Sequence, residues 1–200
     1  SNVVIAVVDS GVDYNHPDIA ANIWNNTDEI PDNGIDDDQN GFIDDVRGWD
    51  FAEASEMYPV YPGEDGTQPD NDPMDFLGHG TVIAGIAAAV TNNEIGIAGL
   101  TWNSKIMPVK SGYATYGGGA LIYDQVAAGI RYAADNSADI ITMSFGGTYR
   151  SKAVYDAIKY AYDEGALLVA AAGNNGERVK FYPAAYEEVV AVTATDQYDN

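Results

Sequence analysis

Val3-Val4-Ile5-Ala6-Val7-Val8-Asp9-Ser10-Gly11 decides the fold. Its apolar, mostly β-branched run has no polar interruption, as a strand buried on both faces requires. The run then stops at a carboxylate, a small residue and a glycine. Lys105–Lys110, Asp139–Ser144, Leu167–Ala171 and Glu188–Thr193 read as further strands. Between them the spacing predicts helices over His79–Val90, Gly119–Asn136 and Ser151–Glu164, the last stopping at Gly165. Val82, Ile83, Ile86 and Val90 fall at helical spacing in the first of these, and Val82 reads as a packing residue. Strands alternating with helices imply an α/β fold: three layers, a mostly parallel sheet with helices on both faces. No internal repeat or linker divides the chain, so residues 1–200 read as one domain.

The composition is that of a globular protein, with 46% hydrophobic and 20% charged residues, but the net charge is −22. A chain this acidic repels phosphate backbones and anionic lipid, so neither nucleic acid nor a membrane surface is expected as a partner. Cations are, Ca2+ above all. With no cysteine there is no disulfide scaffold, thiolate metal site or cysteine nucleophile. No stretch reaches the roughly 18 apolar residues of a membrane span. No basic segment precedes Val3–Val8, so this run does not read as a signal peptide.

The acid is concentrated. Residues 28–75 hold 16 of the 31 acids and one base, Arg47, a net of −15. Prolines and glycines punctuate the same stretch and oppose long helices and central strands. A structureless segment this long needs an organiser, and a bound metal is the expected one. Residues 36–45 supply a pattern for it: Asp36, Asp38 and Asn40 alternate as oxygen ligands, Gly41 stands sixth, and Phe42 offers a carbonyl, as in the opening of an EF-hand loop. Arg47 stands where the closing glutamate would be, so Asp44 or Asp45 is expected to complete the shell. Residues 28–75 are therefore read as an acidic calcium-binding insertion.

Beyond the carboxyl ends of the strands, where open α/β sheets bind ligands, lie Asp9-Ser10-Gly11, Ser144-Phe145-Gly146-Gly147 and Gly173-Asn174-Asn175-Gly176. A carboxylate at the end of a rigid strand can accept amide hydrogen bonds, which favour its ionised form. His79, between Gly78 and Gly80 at a helix start, can take and return a proton near neutral pH. His16, before Pro17, reads as turn packing. Asn174 can donate to a developing oxyanion. Each residue alone has a structural reading as well: turn former, buried histidine, turn asparagine.

Together, and in this order, the segments Val3–Asp13, Gly78-His79-Gly80-Thr81 and Ala170–Gly176 resemble the subtilisin-like serine proteases, the subtilases. His16-Pro17-Asp18, Met143–Gly147 and Tyr182-Pro183-Ala184 extend the resemblance over essentially the whole chain, from Val3 to about Asp196. It implies a subtilisin-like fold and a serine endopeptidase acting on polypeptides through an Asp-His-Ser triad. Asp9 would orient the imidazole, His79 would be general base and then acid, and Asn174 would be the oxyanion donor. Ser144, Phe145 and Gly146 would pair with substrate and wall a roomy apolar specificity pocket, opposite Gly117, Gly118 and Gly119. The resemblance also implies a calcium loop at Thr91–Ile97, with Asn93 and Asp18 as ligands, and an extracellular location. A propeptide or the missing C-terminal segment would be a further partner.

Two positions depart from the family pattern. Val82 replaces a second histidine that many relatives carry, and no Gly-Thr-Ser turn, the family's nucleophile motif, occurs in the chain. The domain is accordingly read as incomplete at its C-terminus and the chain by itself as inactive. Two other classes stay open: a phosphoryl-transfer domain using Asp9 with Lys110 as its cation, and a calcium-dependent binding module on the protease fold without a nucleophile.

Overall fold

The structure is a computed structural model and describes residues 3–176 and 178–198. In chain order its elements are β1 Val4–Asp9, a 3-10 turn Ala20–Asn22, β2 Trp49–Asp50, α1 His79–Ala88, β3 Lys105–Lys110, β4 Gly112–Thr115, β5 Gly118–Leu121, α2 Tyr123–Asp135, β6 Ile140–Met143, α3 Lys152–Asp163, β7 Leu167–Ala171 and β8 Val189–Val192. Six strands form one parallel sheet in the order β2-β3-β1-β6-β7-β8. β4 and β5 form a separate antiparallel hairpin.

β1 shows why its sequence carries no polar alternation. Ala6 and Val8 join the core beneath α2 and α3, with Met107, Val109, Ile130, Ile141 and Ile158. Ile5 and Val7 join the opposite core beneath α1, with Val12, Ile19, Ala84, Ala88 and Ile106. Both faces of the strand are covered, and each fully buried Val or Ile side chain contributes about 1.5–3 kcal/mol. The three-layer expectation holds, and β1 is where the strand order reverses, the position at which open sheets form their crevice.

Three expectations are corrected. The helix expected over Gly119–Asn136 begins at Tyr123, because Gly119, Ala120 and Leu121 pair with Ala114, Tyr113 and Gly112 in the hairpin. Glycines cost about 1 kcal/mol each inside a helix, which favours this division. The first helix ends at Ala88 rather than Val90. On it Val82 and Ile86 are exposed, at 61% and 49%, while Gly80, Ala84, Gly85 and Ala88 are buried. α1 lies close to the sheet: its fully buried positions are glycine or alanine, and Ile83 packs partly buried against the same core. Ser151, expected as the first helical residue of α3, is instead its N-cap, with its hydroxyl accepting from Val154 N–H at 3.4 Å. Over residues 28–75 the chain is almost all loop, with β2 as a two-residue edge strand.

Candidate active site

The β1–β3 register places Asp9 beside Lys110, and the β1–β6 register, continued by two residues, brings Asp9 level with Ser144. Asp9 is 4% exposed, and its Oδ1 lies 2.7 Å from His79 Nδ1 and accepts Ser10 N–H at 2.7 Å. With Asp9 ionised, Nδ1 is the donor and Nε2 is left for the occupant of the cleft. Burial pushes the Asp9 carboxyl above its ordinary value, against the opposing pull of His79 and Ser10. Its second oxygen, Oδ2, is buried without a hydrogen-bond partner among the described residues.

His79 reaches Asp9 because α1 starts almost on top of β1. A Cβ at Gly80 would collide with Gly11 O and lie 3.1 Å from Asp9 Cβ, so only glycine admits this approach. The approach is held by Asp75, which the sequence reading did not single out. Its Oδ1 accepts Ser10 Oγ–H and Gly78 N–H, each at 2.9 Å, and its Oδ2 accepts Thr81 N–H at 2.9 Å and Thr81 Oγ1–H at 2.6 Å. One carboxylate thus ties the segment after β1 to the first turn of α1. Asp75→Ala leaves these donors unmatched, and a loss of about 3 kcal/mol is expected in urea unfolding of this chain. An unchanged midpoint would refute the assignment.

Asp9, Ser10 and His79 line a cleft of about 210 Å3 with Leu77, Gly119, Leu121, Ser144 and Phe145. Gly119, Leu121 and Phe145 continue into a second cavity of about 260 Å3 that also includes Gly146, Gly147, Tyr149 and Tyr186. The trough therefore runs between β5 and residues 144–147, with the Asp9–His79 pair on its wall. Gly117 is the turn residue of the hairpin, its N–H donating to Thr115 Oγ1, and Gly118 and Gly119 are exposed on β5. Asn174 is exposed and lines a separate groove of about 270 Å3, for which Ser144 is the shared wall. The Phe181 ring lies against both Gly146 and Gly173, 3.0 Å from where a Cβ at Gly173 would stand. No pattern in the sequence points to Phe181 or Asp75, since each acts through a partner distant in the chain.

In the acidic loop, oxygens of Asp36, Asp38 and Glu29 lie within 4.8 Å of one another. Glu29 was missed. It is 5% exposed and accepts the N–H groups of Asp37, Asp38 and Asp44. Asn40 contacts the group, its N–H donating to Asp36 and Asp38. Asp44 is turned away, accepting Asn33 and Gly34 N–H. Asp45 is fully buried, accepting from Asn26, Asn40 and the Tyr132 hydroxyl, the last at 2.6 Å. Burial raises the Asp45 carboxyl, and burial together with Asp45 pushes the Tyr132 phenol up, which keeps it a donor. Phe42 packs its ring edge-on to Trp49, Phe51 and Tyr132, anchoring the loop to the core.

Elsewhere, Asn93 and Asp18 meet: Asn93 Nδ2–H and Ile97 N–H donate to the two Asp18 oxygens at 2.7 and 2.9 Å, which lowers that carboxyl. Lys110 is fully buried between Asp50 and Glu64, at 2.9 and 3.0 Å. It is therefore not free to bind a phosphate beside Asp9.

Known proteins are similar to this chain. The chain is 39% identical over 195 residues to the thermophilic serine proteinase of Bacillus sp. (strain AK1), covering 98% of this chain and 39% of that protein. It is 38% identical over 200 residues to thermitase of Thermoactinomyces vulgaris, covering 100% of this chain and 57% of that protein. The chain thus spans about half the length of these relatives or less. Among solved structures, the S41 psychrophilic protease superposes with a TM-score of 0.74 at 28% identity, over 98% of this chain and 54% of that one. The model of the subtilase family matches residues 1–200, and the chain belongs to that family.

Proposed function

We propose that this chain is the part of a serine endopeptidase that carries the general base and its orienting carboxylate. The observation behind the reading is the 2.7 Å contact of Asp9 Oδ1 with His79 Nδ1, in the wall of a trough that fits an extended polypeptide. His79 takes the proton of a serine hydroxyl through Nε2 and returns it to the leaving amine, while Asp9 stabilises the imidazolium between the two steps. Asn174 donates its amide to the oxyanion. Residues 144–146 and β5 pair with the substrate backbone from the two sides, which favours broad sequence specificity. The nucleophile belongs to a Gly-Thr-Ser turn, a motif these 200 residues do not contain.

A fluorophosphonate probe tests this. The full-length protein is expected to be labelled stoichiometrically, its His79→Ala variant not, and the 200-residue chain alone not at all. Labelling of the isolated chain would overturn the assignment of the nucleophile.

We further propose calcium as the ion of the acidic loop. Three carboxylates converge at Glu29, Asp36 and Asp38, with no cationic side chain among their hydrogen-bond partners in the described residues, and a hard, oxygen-seeking cation suits such a set. Residues 28–75 are then a calcium-organised insertion in a single peptidase domain, with Asn40 beside the ion and Asp44, Asp45 and Phe42 shaping the loop. Asp18 and Asn93 form a second candidate pair; the Asp18 oxygens accept Asn93 Nδ2–H and Ile97 N–H, and a calcium there would have to turn the Asn93 amide so that its oxygen faces the ion. Secretion is the location we propose, and a calcium site of the affinity usual for extracellular modules accords with it. No helix of the described residues is long and apolar enough to cross a membrane.

A further inference from the structure

A strand edge with unpaired backbone groups is a template for another strand. The β4–β5 hairpin has two such edges. That of β5 faces the trough; that of β4 faces the acidic insertion. Ala114, opposite Gly119 in the hairpin, is bonded on this outer side: its N–H donates to Glu64 Oε2 and its carbonyl accepts Tyr61 N–H, both at 2.8 Å. Val60 bridges Thr115 in antiparallel fashion, and Tyr113 donates its hydroxyl to Tyr58 O at 3.0 Å. Residues 58–64 therefore close the outer edge of β4, and β5 keeps the hairpin's open one.

Glu64 does more than fill a hydrogen bond. Its Oε1 accepts Lys110 Nζ at 3.0 Å, and Lys110 also pairs with Asp50 and donates to Asp65 O. The side chains of Glu64, Lys110 and Asp50 are all 0% exposed. Lys110 stands next to Asp9 in the β1–β3 register. One buried carboxylate thus joins the strand beside Asp9 to the backbone of the hairpin.

We propose that Glu64 is a positioning residue for substrate: held by Lys110, it sets the distance and register at which the open edge of β5 stands from the Asp9–His79 pair. The polypeptide so positioned is an extended segment that adds to β5 as a further strand. This inference rests on the endopeptidase reading of the cleft. Glu64→Ala leaves Lys110 paired with Asp50, so the fold is expected to survive. Glu64→Gln keeps an oxygen for the Ala114 N–H.

The test compares two substrates in the full-length protein: a single-residue acyl ester too short to reach β5, and a peptide amide of four or more residues that spans it. For Glu64→Ala the KM of the long substrate is expected to rise about tenfold, the loss of one or two misplaced backbone hydrogen bonds, with a much smaller rise for the ester. Its kcat should change far less than its KM, and Glu64→Gln should recover much of the loss. Parallel losses on both substrates, or no loss on either, overturn the positioning role alone. A wild-type protein that hydrolyses neither substrate overturns the endopeptidase reading, and this inference with it.

Discussion

Asp9→Asn in the full-length protein is expected to lower kcat by about 10^4-fold with little change in KM, the magnitude general to catalytic triads that lose this carboxylate. Asn is nearly isosteric and the pocket around residue 9 is closed, so the fold should stand. The damage is to proton bookkeeping. An ionised Asp9 makes His79 Nδ1 the donor across 2.7 Å and leaves Nε2 as the base. An amide at this position can present its NH2 to Nδ1, which then becomes the acceptor, and the remaining proton moves to Nε2, where a base is needed. It also removes the charge that stabilises the imidazolium. The half-exposed ring, at 49%, can still turn, so a fraction of molecules keeps the useful tautomer and some activity persists. A kcat within tenfold of wild type would show that Asp9 is not the orienting carboxylate.

Chelation is expected to have the second large effect. If Glu29, Asp36 and Asp38 hold calcium at about a thousand times its Kd, removing the ion costs about 4 kcal/mol. For a chain of this size each kcal/mol shifts Tm by about 2–4 °C, so excess EGTA should lower Tm by about 10 °C. The electrostatics point the same way. Three carboxylates whose oxygens lie within 4.8 Å of one another repel when the ion leaves, inside a stretch of net charge −15. Calcium should restore the transition, and magnesium, which demands a smaller and more regular shell, should do so poorly. A Tm insensitive to EGTA would remove the calcium proposal.

The parallel sheet was legible because its strands are short apolar runs, and β1 and β3 at its centre are buried on both faces. Lys105–Lys110 and Leu167–Ala171 match their strands at both ends, although β8 leaves Val190 and Val192 exposed. The hairpin was not. β4 and β5 are four residues each, rich in glycine, and their pairing depends on the insertion behind them. The α1 face was misread because helical spacing shows which residues share a side, not how near the sheet that side comes. Asp9, His79 and Asn174 could be chosen from their neighbours in sequence and from family resemblance. Asp75, Glu29 and Glu64 could not, since each is a lone acid whose role lies in backbone amides and side chains brought to it by the fold. Phe181 is hidden for the same reason.

The bond from the Tyr132 hydroxyl to Asp45 carries a consequence for how the molecule fails. It runs from the last turn of α2 into the acidic loop, and Phe42 enters the same aromatic group from the loop side. The loop cannot peel away while the helix stays seated; opening one exposes the other. Around Asp45, which is fully buried, a protease then gains access only through cooperative unfolding, and on the proposed endopeptidase reading that protease includes a neighbouring copy of the protein. On that reading self-digestion at this point of the loop follows the population of the globally open state, and Tyr132→Phe is expected to show first as a shortened lifetime of the protein in solution.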